Sequence, residues 1–248
     1  MQRLCDIIHA QQLTDHIYAI TLEAGELGRL AQPGQFLHVR CGGDVLLRRP
    51  ISVCDAENET LKIVFEVKGA GTRWLAEKTS GQLDILGPLG TGFSVEGQHI
   101  LLVGGGIGTP PLLYAARAAK GSTTAILGFG SRSQVILQDE FQTICDNVIL
   151  TTDDGSAGEP GQVTGPLENE LQSGTYDMVL TCGPKPMLRA VANLAAQYNV
   201  PCQVSTEERM ACGVGACLGC TVTMRNGDNL RACADGPVFD AGEVNWDV

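Results

Sequence analysis

Four cysteines near the end of the sequence have the residue type and spacing of an iron–sulfur site. Cys212, Cys217 and Cys220 lie close together and Cys233 follows, in the pattern C-x4-C-x2-C-x12-C. Four thiolates in this pattern are typical of a [2Fe-2S] cluster. The glycines between them permit positive φ angles and let backbone N–H groups point at the sulfur atoms. The pattern therefore predicts a centre that transfers single electrons.

Zinc binding and disulfide bonding are the alternatives for these cysteines. A zinc site more often has two C-x2-C pairs, or cysteine together with histidine. Here the second pair is missing, and the last histidine of the chain is His99. The spacing favours iron over zinc.

A glycine-rich segment at residues 104–111, GGGIGTPP, is a candidate nucleotide site. It follows a predicted strand and begins a predicted helix, so its backbone can approach a pyrophosphate while the helix N-terminus supplies N–H groups. The candidate contacts are Gly105, Gly106, Gly108 and Thr109. Thr109 stands where the G-x-G-x-x-G fingerprint has its last glycine, and no acidic residue lies about 20 positions further on. A tight strand-to-helix turn without a ligand is the alternative.

A second turn, CGPKPM at residues 182–187, follows another predicted strand of the same sheet. Ligands of such sheets bind outside the carboxyl ends of the strands. Cys182, Gly183 and Pro184 are therefore predicted to form the opposite wall of one nucleotide cleft. For Cys182 the alternative is a small buried residue at a strand end.

The first hundred residues contain two anion-binding patterns. Arg48 and Arg49 precede Pro50; guanidinium groups bind phosphate with two parallel hydrogen bonds, and the proline stiffens the turn. Residues 66–72, EVKGAGT, then lead from a strand into a helix start, a second phosphate-binding geometry. Paired arginines alone are more typical of a solvated surface. Two phosphate-type sites beside an electron-carrying cluster favour a flavin nucleotide.

The pattern of secondary structure changes near His99. Before it, short β-rich runs at residues 17–22, 35–40, 61–67 and 82–86, with one helix at 72–79, indicate a small antiparallel barrel. After it, apolar runs alternate with helical segments, which predicts a doubly wound parallel sheet. These strands are predicted at 100–103, 124–129, 148–151, 178–181 and 203–205, and the helices at 110–119, 138–144, 165–171 and 185–198. The last forty or so residues fit neither pattern.

The predicted fold class is therefore α/β plus all-β, in three domains. Residues 1–97 form an N-terminal antiparallel flavin-binding β-barrel, and residues 98–206 form a central doubly wound parallel-sheet nucleotide domain. Residues 207–248 form a small C-terminal [2Fe-2S] subdomain.

Composition excludes several classes of function. The 248-residue chain has a net charge of −11, which argues against a nucleic-acid partner and against an anionic membrane surface. Residues 1–10 lack the apolar core of a signal peptide, and the apolar stretch 100–114 is broken by glycine and proline, so neither export nor a membrane span is predicted. Ten cysteines in such a chain indicate reduced thiols and a cytoplasmic location.

Taken in order, these motifs resemble the ferredoxin-NADP reductase superfamily, in which a flavin-binding barrel precedes a pyridine-nucleotide domain. The cysteine segment narrows the resemblance to the electron-transfer subunits of B-type, NAD-dependent dihydroorotate dehydrogenases. The motifs that carry it are RRPISV, GAGT, GPLGTGF, GGGIGTPPL, CGPKPML, ERMACGVGACLGC and CADGPVF. They span essentially the whole chain.

This resemblance implies FAD and a [2Fe-2S] cluster as cofactors and NAD as co-substrate. The implied FAD contacts are Arg49, Pro50, Ile51, Ser52, Phe65, Glu66, Val67, Gly71 and Thr72. The implied cluster ligands are Cys212, Cys217, Cys220 and Cys233. Plant-type ferredoxin reductases have a tyrosine where Ile51 stands, so no aromatic ring is expected to stack on the flavin from this position.

The resemblance also implies an FMN-containing catalytic subunit as partner, in a heterotetramer of two plus two subunits. That partner oxidises dihydroorotate in pyrimidine biosynthesis, and electrons pass through the cluster and FAD to NAD⁺. A flavin must stand between the other two because a cluster handles one electron and a nicotinamide two. No general acid or nucleophile is needed, so no catalytic residue is predicted.

The small apolar residues Val214, Ala216 and Leu218 beside the ligands lead us to expect that the cysteine loop meets this partner. Packing of the same residues onto the barrel is the alternative.

Two other functions remain open from the sequence. Similar subunits serve other NAD(P)H-linked ferredoxin, hydrogenase or sulfite reductase complexes, and Arg132, in the segment 128–133, is a candidate contact for the 2′-phosphate of NADP. A regulatory redox sensor is a different class of protein. The acidic charge and the lack of any recognisable DNA-binding motif disfavour it.

Overall fold

The computed structural model of the protein describes residues 1–42 and 45–247. Its first part is a closed antiparallel barrel with strand order β1-β2-β5-β4-β3-β6. The strands are β1 (Gln2–Gln12), β2 (Ile17–Glu23), β3 (Phe36–Val39), β4 (Arg49–Glu57), β5 (Thr60–Glu66) and β6 (Gln82–Leu89), with helices α1 (Glu26–Leu30) and α2 (Ala70–Ala76) between them. Inward-facing aliphatic side chains such as Leu22, Val53 and Ile63 fill the barrel. The predicted antiparallel barrel is confirmed.

Three elements of the barrel were not predicted. Strand β1 shows little apolar alternation because most of its side chains face solvent and only Cys5 is fully buried. Strand β4 includes Pro50, which reads as a strand breaker but is tolerated near the beginning of a strand. Helix α1 has five residues, too few for an apolar period to show.

The second part is a seven-stranded sheet with order β10-β9-β8-β7-β11-β12-β15. Its strands and helices are β7 (His99–Gly105), α3 (Pro110–Ala118), β8 (Ser122–Phe129), α4 (Gln138–Ile144), β9 (Asn147–Thr152), β10 (Glu159–Pro160), α5 (Thr164–Ser173), β11 (Met178–Cys182), α6 (Lys185–Gln197) and β12 (Cys202–Ser205). All neighbouring pairs among these strands are parallel. The predicted doubly wound parallel sheet is confirmed.

The carboxyl-terminal segment was predicted to belong to neither the barrel nor the parallel sheet, but one of its strands joins the sheet. After a small hairpin of β13 (Thr221–Thr223) and β14 (Asn229–Arg231), strand β15 (Val238–Asp240) pairs antiparallel with β12. The strand has three residues and follows a proline, so its β character does not show in the sequence. The chain thus leaves the sheet at β12, forms the cysteine segment and returns to the edge of the same sheet.

Strand β3 lies where the three parts meet, and all four of its residues are buried. Leu37 and Val39 point into the barrel core, whereas Phe36 belongs to a second core shared with the parallel sheet and the cysteine segment. Alternate residues of a strand face opposite sides, so one short strand joins two hydrophobic cores. No helix in the described part of the chain is both long and apolar enough to cross a membrane.

Candidate functional site

A cavity of about 1140 Å³ lies between the barrel and the carboxyl edge of the parallel sheet. Most small-molecule sites enclose roughly 300–1,000 Å³, so this cavity is large enough for a dinucleotide. The predicted contacts that line it are Arg49, Pro50, Ile51, Ser52, Phe65, Glu66, Thr72, Gly105, Gly106, Gly108, Cys182, Gly183 and Pro184. The fold therefore brings the motifs of both domains to one cavity.

Three predicted contacts lie just behind the wall. Thr109 is fully buried, and its hydroxyl has no hydrogen-bond partner among the described residues. The backbone N–H of Val67 donates to the carbonyl of His16 at 2.8 Å. Gly71 lies against Arg49: a Cβ at this position would be 2.7 Å from Arg49 Nε, so glycine leaves the guanidinium its space.

The two adjacent arginines, of which only Arg49 is an expected FAD contact, both line the cavity but make different contacts. Arg48 donates to both carboxylate oxygens of Asp84 at 2.9 Å and to the carbonyls of His38 and Asp84. Both bonds to the carboxylate come from Nη2, and this ion pair joins the segment before β4 to β6 and commits Arg48 to the barrel. Arg49 bonds only to the nearby carbonyls of Leu47 and Arg48. Within the described residues no carboxylate pairs with Arg49, so its charge is available at this wall.

The two glycine-rich turns meet where the strand order of the sheet reverses. β7 has β8 on one side and β11 on the other, and this switch point is where open α/β sheets bind ligands. A Cβ on Gly108 would be 2.5 Å from the carbonyl oxygen of Cys182, so only glycine permits this approach. Gly106 has φ of 53° and faces open space, which leaves its backbone accessible to a ligand.

Cys182 lines the cavity at the end of β11. Burial raises the pKa of its thiol to about 12, although a hydrogen bond with Ser205 acts in the opposite direction. The thiol therefore stays protonated at neutral pH and contributes no negative charge to the cavity wall.

Backbone N–H groups of the cysteine loop point at sulfur atoms. The N–H groups of Val214 and Ala216 donate to Cys212 Sγ at 3.4 and 3.3 Å, and Gly215 donates to Cys233 Sγ at 3.1 Å. Gly213 and Gly215 have φ of 70° and 78°, the left-handed conformations that turn these groups inward. The glycines between the cysteines therefore have positive φ angles that direct N–H groups at sulfur atoms, as the sequence predicts.

The pKa values of Cys212 and Cys233 are each influenced by a neighbouring thiol, in two pairs, Cys212 with Cys217 and Cys233 with Cys220. Within residues 1–42 and 45–247, no three His, Cys, Asp or Glu side chains converge as a site for a single metal ion. A two-iron cluster takes two of four cysteines on each iron.

The two pairs differ in electrostatics and burial. The N–H groups of Val214 and Cys217 lower the pKa of Cys212 to about 6, which favours the thiolate that iron binds. Burial raises the pKa of Cys233 to about 11, so its proton is released only against a bound cation. Cys217 is exposed, whereas Cys220 belongs to the shared hydrophobic core. One side of the loop thus faces solvent and the other faces the protein.

An ion pair supports the second cysteine turn. Arg231 donates from Nε and Nη2 to the two carboxylate oxygens of Asp235, and its Nη1 donates to the carbonyl of Gly215. The backbone N–H of Ala232 donates to the carbonyl of Cys220 at 2.8 Å. These contacts join the turn that carries Cys233 to the loop that carries the other three cysteines.

Several cavity residues were missed by the sequence analysis. Phe36 lines the cavity because β3 pairs with β4 so that Phe36 lies opposite Ser52, a register that the sequence does not show. The segment 205–210 also lines it, and its place after the predicted strand at 203–205 was a usable signal. Met210 lies at this wall two residues before Cys212. The cysteine loop therefore begins at the rim of the cavity.

His38 is a further residue that the sequence analysis missed. It is 1% exposed, and neither ring nitrogen has a hydrogen-bond partner in the described structure. Burial, with the nearby Arg48 and Arg49 charges, lowers its pKa to about 4, so the ring is neutral. An unsatisfied buried N–H costs about 1–3 kcal/mol. Its ring lies against Gly213 of the cysteine loop.

Arg132, the candidate contact for a 2′-phosphate, is bound to the loop after β9. Its Nε donates to the carbonyl of Ser156 at 3.0 Å, and its backbone N–H donates to the hydroxyl of the same residue. This loop also carries Asp153 and Asp154, and Asp154 accepts hydrogen bonds from Ser156. The loop that binds Arg132 therefore carries two acidic residues, and negative charge near Arg132 disfavours a phosphate there.

A family model and two curated relatives all match the same family of proteins. A family model described as the iron-sulfur cluster binding domain of dihydroorotate dehydrogenase B matches residues 207–245. The chain is 41% identical over 243 residues to the dihydroorotate dehydrogenase B (NAD(+)) electron transfer subunit of Caldanaerobacter subterraneus subsp. tengcongensis, with 96% of each chain covered. It is 43% identical over 254 residues to the Shouchella clausii subunit of the same name, again with 96% of each covered.

A solved structure has the same fold over nearly the whole chain. It is that of an NADH-dependent reduced ferredoxin-NADP oxidoreductase, studied for flavin-based electron bifurcation. The TM-score is 0.90 at 32% identity, and the match covers 99% of this chain and 91% of that one. The fold is therefore shared with a protein that has a different named activity.

The different positions of the two arginines lead to a prediction for flavin binding. We expect Arg49→Ala to weaken FAD binding by about tenfold to a hundredfold, because a charge-assisted hydrogen bond contributes about 1.5–3 kcal/mol. Titration of the FAD-depleted protein, followed by flavin fluorescence, measures the change. Arg117→Ala is the matched control, since Arg117 pairs with Asp55 and is not part of the cavity wall. Equal affinities in the two variants would contradict the role of Arg49.

Proposed function

This chain belongs to the family of electron transfer subunits of dihydroorotate dehydrogenase B, and from that premise we propose that it conveys electrons from a dihydroorotate-oxidising partner subunit to NAD⁺. The observation that carries the proposal is the single cavity shared by the barrel, the nucleotide turns and the start of the cysteine loop. A flavin and a nicotinamide held at its two walls would lie side by side, and the cysteine loop begins just beyond Met210 at its rim. When bound, a [2Fe-2S] cluster supplies one-electron transfer, and FAD supplies the conversion to hydride transfer.

The residues that would hold these groups follow from the geometry. Cys212, Cys217, Cys220 and Cys233 would ligate the cluster, since backbone N–H groups already point at Cys212 and Cys233. We assign FAD to the barrel side of the cavity, at Arg49, Pro50, Ile51, Ser52, Phe65, Glu66, Val67, Gly71 and Thr72. We assign NAD to the sheet side, at Gly105, Gly106, Gly108, Thr109, Cys182, Gly183 and Pro184.

The side chains and backbone groups of this chain bind and orient the cofactors, and they do not exchange protons with them. Arg49 supplies positive charge for phosphate, and the accessible backbone at Gly106 supplies N–H groups at the start of a helix. The protonated Cys182 adds no charge of its own to the wall, and Phe36 and Pro237 add apolar surface. No side chain is required as a general acid, base or nucleophile.

Organisation of the chain is part of the same proposal. We assign residues 1–97 to FAD binding, 98–206 to NAD binding and 207–248 to the cluster. All ten cysteines are free thiols, which supports a reducing, cytoplasmic location. The partner is an FMN-containing catalytic subunit, and the assembly is a heterotetramer of two plus two subunits.

A second candidate keeps the cofactors and changes the partner. The 32% identical oxidoreductase covers 99% of this chain, which favours a subunit of a ferredoxin-linked complex as the alternative. The higher identity of 41% to 43% with the dihydroorotate dehydrogenase subunits and the acidic loop beside Arg132 favour the main proposal.

The coupled reaction tests the proposed function directly. We expect the chain, purified anaerobically with its catalytic partner, to reduce NAD⁺ on addition of dihydroorotate, with turnover on the order of 1–1000 s⁻¹. NADP⁺ should react at least about tenfold less well, a difference of ~1.4 kcal/mol. Absorbance of the reduced nucleotide measures both rates. A strong preference for NADP⁺ would contradict the dihydroorotate role and support the ferredoxin-linked alternative.

Removal of one cysteine ligand should separate electron transfer through the cluster from hydride exchange at the flavin. We expect Cys233→Ser to lose the visible absorption of the cluster and the dihydroorotate-to-NAD⁺ reaction. Part of the NADH-to-dye activity should survive, because hydride exchange needs only the flavin. Cys145→Ser is the control, since Cys145 is a buried thiol of the sheet domain outside the loop. Full coupled activity in Cys233→Ser would refute the ligand assignment.

The exposed residues of the cysteine loop predict where the partner binds. Val214 and Leu218 are 55% and 64% exposed and Ala216 is also exposed, so these side chains do not pack onto the barrel. We expect Leu218→Glu to weaken the complex with the catalytic subunit at least about tenfold, or ~1.4 kcal/mol. Binding measured by surface plasmon resonance gives the change.

Two controls make the Leu218→Glu result specific. The flavin and cluster spectra of the variant should be unchanged, because the Leu218 side chain is mostly exposed to solvent. Leu30→Glu changes an equally apolar residue on α1 that is 52% exposed and should leave binding unaffected. Normal partner binding and electron transfer in Leu218→Glu would remove the loop from the interface.

A further inference from the structure

His38 occupies the partition between the cavity and the cysteine loop. Its strand partner in the barrel is Pro50, which lines the cavity, and its ring contacts Phe36 edge-on with centroids 6.4 Å apart. On the other side, a Cβ built on Gly213 would lie 2.5 Å from His38 Nδ1. The imidazole therefore touches the residue that follows the first cysteine of the loop.

The hydrogen-bonding capacity of His38 is unused. A neutral imidazole has one N–H donor and one acceptor nitrogen, and both nitrogens are buried without a partner within the described residues. Buried polar side chains are normally hydrogen-bonded, and an exception calls for a partner that is absent from the protein atoms. The neighbouring positions of β3 are apolar, so burial alone does not require a histidine here.

The surroundings indicate where that partner lies. The barrel side of His38 is closed by the strand, whose carbonyl at this position already accepts from Arg48. The ring itself does not line the cavity. On its other side the ring lies against Gly213, in the turn where backbone N–H groups converge on sulfur. A group held by the four cysteines would bring sulfur atoms to this side of the ring.

We propose that His38 is a positioning residue for electron transfer that donates a ring N–H to a sulfur of the iron–sulfur centre. This inference rests on the proposed function, because it requires the centre to be present. The other N–H donors to the cysteines belong to the loop backbone, whereas His38 belongs to the flavin-binding barrel. The bond would therefore fix the cysteine loop against the strand beside Pro50 and Arg49.

The electrostatic effect of such a bond has a definite sign. An N–H donor stabilises the more negative, reduced form of the centre and so raises its reduction potential. Loss of the donor should lower the midpoint potential. A tenfold change in the one-electron equilibrium constant corresponds to about 59 mV, and we expect a shift of that size.

Isotope labelling tests the contact without any substitution. The intact complex is prepared with ¹⁵N-histidine, of which this chain contains four, paired with an unlabelled catalytic subunit. After reduction of the cluster, pulsed electron paramagnetic resonance should show coupling to one histidine nitrogen. A normal [2Fe-2S] signal without any histidine ¹⁵N coupling would overturn the inference. Absence of a [2Fe-2S] signal would instead overturn the proposed function and the inference with it.

Substitutions then test the effect on the potential. His38→Phe keeps a planar ring and removes both nitrogens, and we expect a potential about 59 mV lower, with the nitrogen coupling lost. His38→Gln restores an N–H donor and should recover much of the shift. His9→Phe makes the same exchange at an exposed position and should leave the potential unchanged. An unaltered potential in His38→Phe would overturn the role. If that variant fails to assemble a cluster, the labelled wild-type complex decides.

Discussion

The burial of both faces of strand β3, each in a different hydrophobic core, is the constraint on which the rest of the structure depends. Its alternating side chains enter two cores: Leu37 and Val39 fill the barrel, while Phe36 joins the core that contains Cys220 and Cys233. Because the strand is flanked by β4 and β6, it cannot shift without disturbing the Arg49 to Ser52 segment that lines the cavity. The barrel wall thereby sets the distance between the cavity and the cysteine loop.

The sequence predicted the parts of the molecule that local chemistry determines. The cysteine spacing, the glycine turns and the change from β-rich runs to alternating helices each arise within a short stretch of chain. The structure explains these patterns with backbone detail, such as the approach of Gly108 to the Cys182 carbonyl. Helix α4 occurs at the predicted residues because its apolar spacing and flanking polar residues lie within seven positions.

Features set by partners distant in sequence were not predictable from the chain. Arg48 and Arg49 look equivalent in the sequence, and only Asp84, 36 residues away, distinguishes them. Phe36 and His38 reach the cavity and the loop through strand register, which one sequence does not reveal. Strand β15 is three residues long and forms because β12 presents a free edge. In each case the tertiary neighbour, and not local propensity, decides the outcome.

The return of the chain to the sheet at β15 has a consequence for modularity. Ser205 and Val238 are directly paired across β12 and β15, so the segment between them begins and ends at neighbouring points about 5 Å apart. In topological terms, the cysteine segment is an insertion in the loop of a β-hairpin. A short turn would close the same gap. Insertion or deletion of this one segment would therefore add or remove the cluster site of such a reductase. The barrel and the parallel sheet would stay continuous.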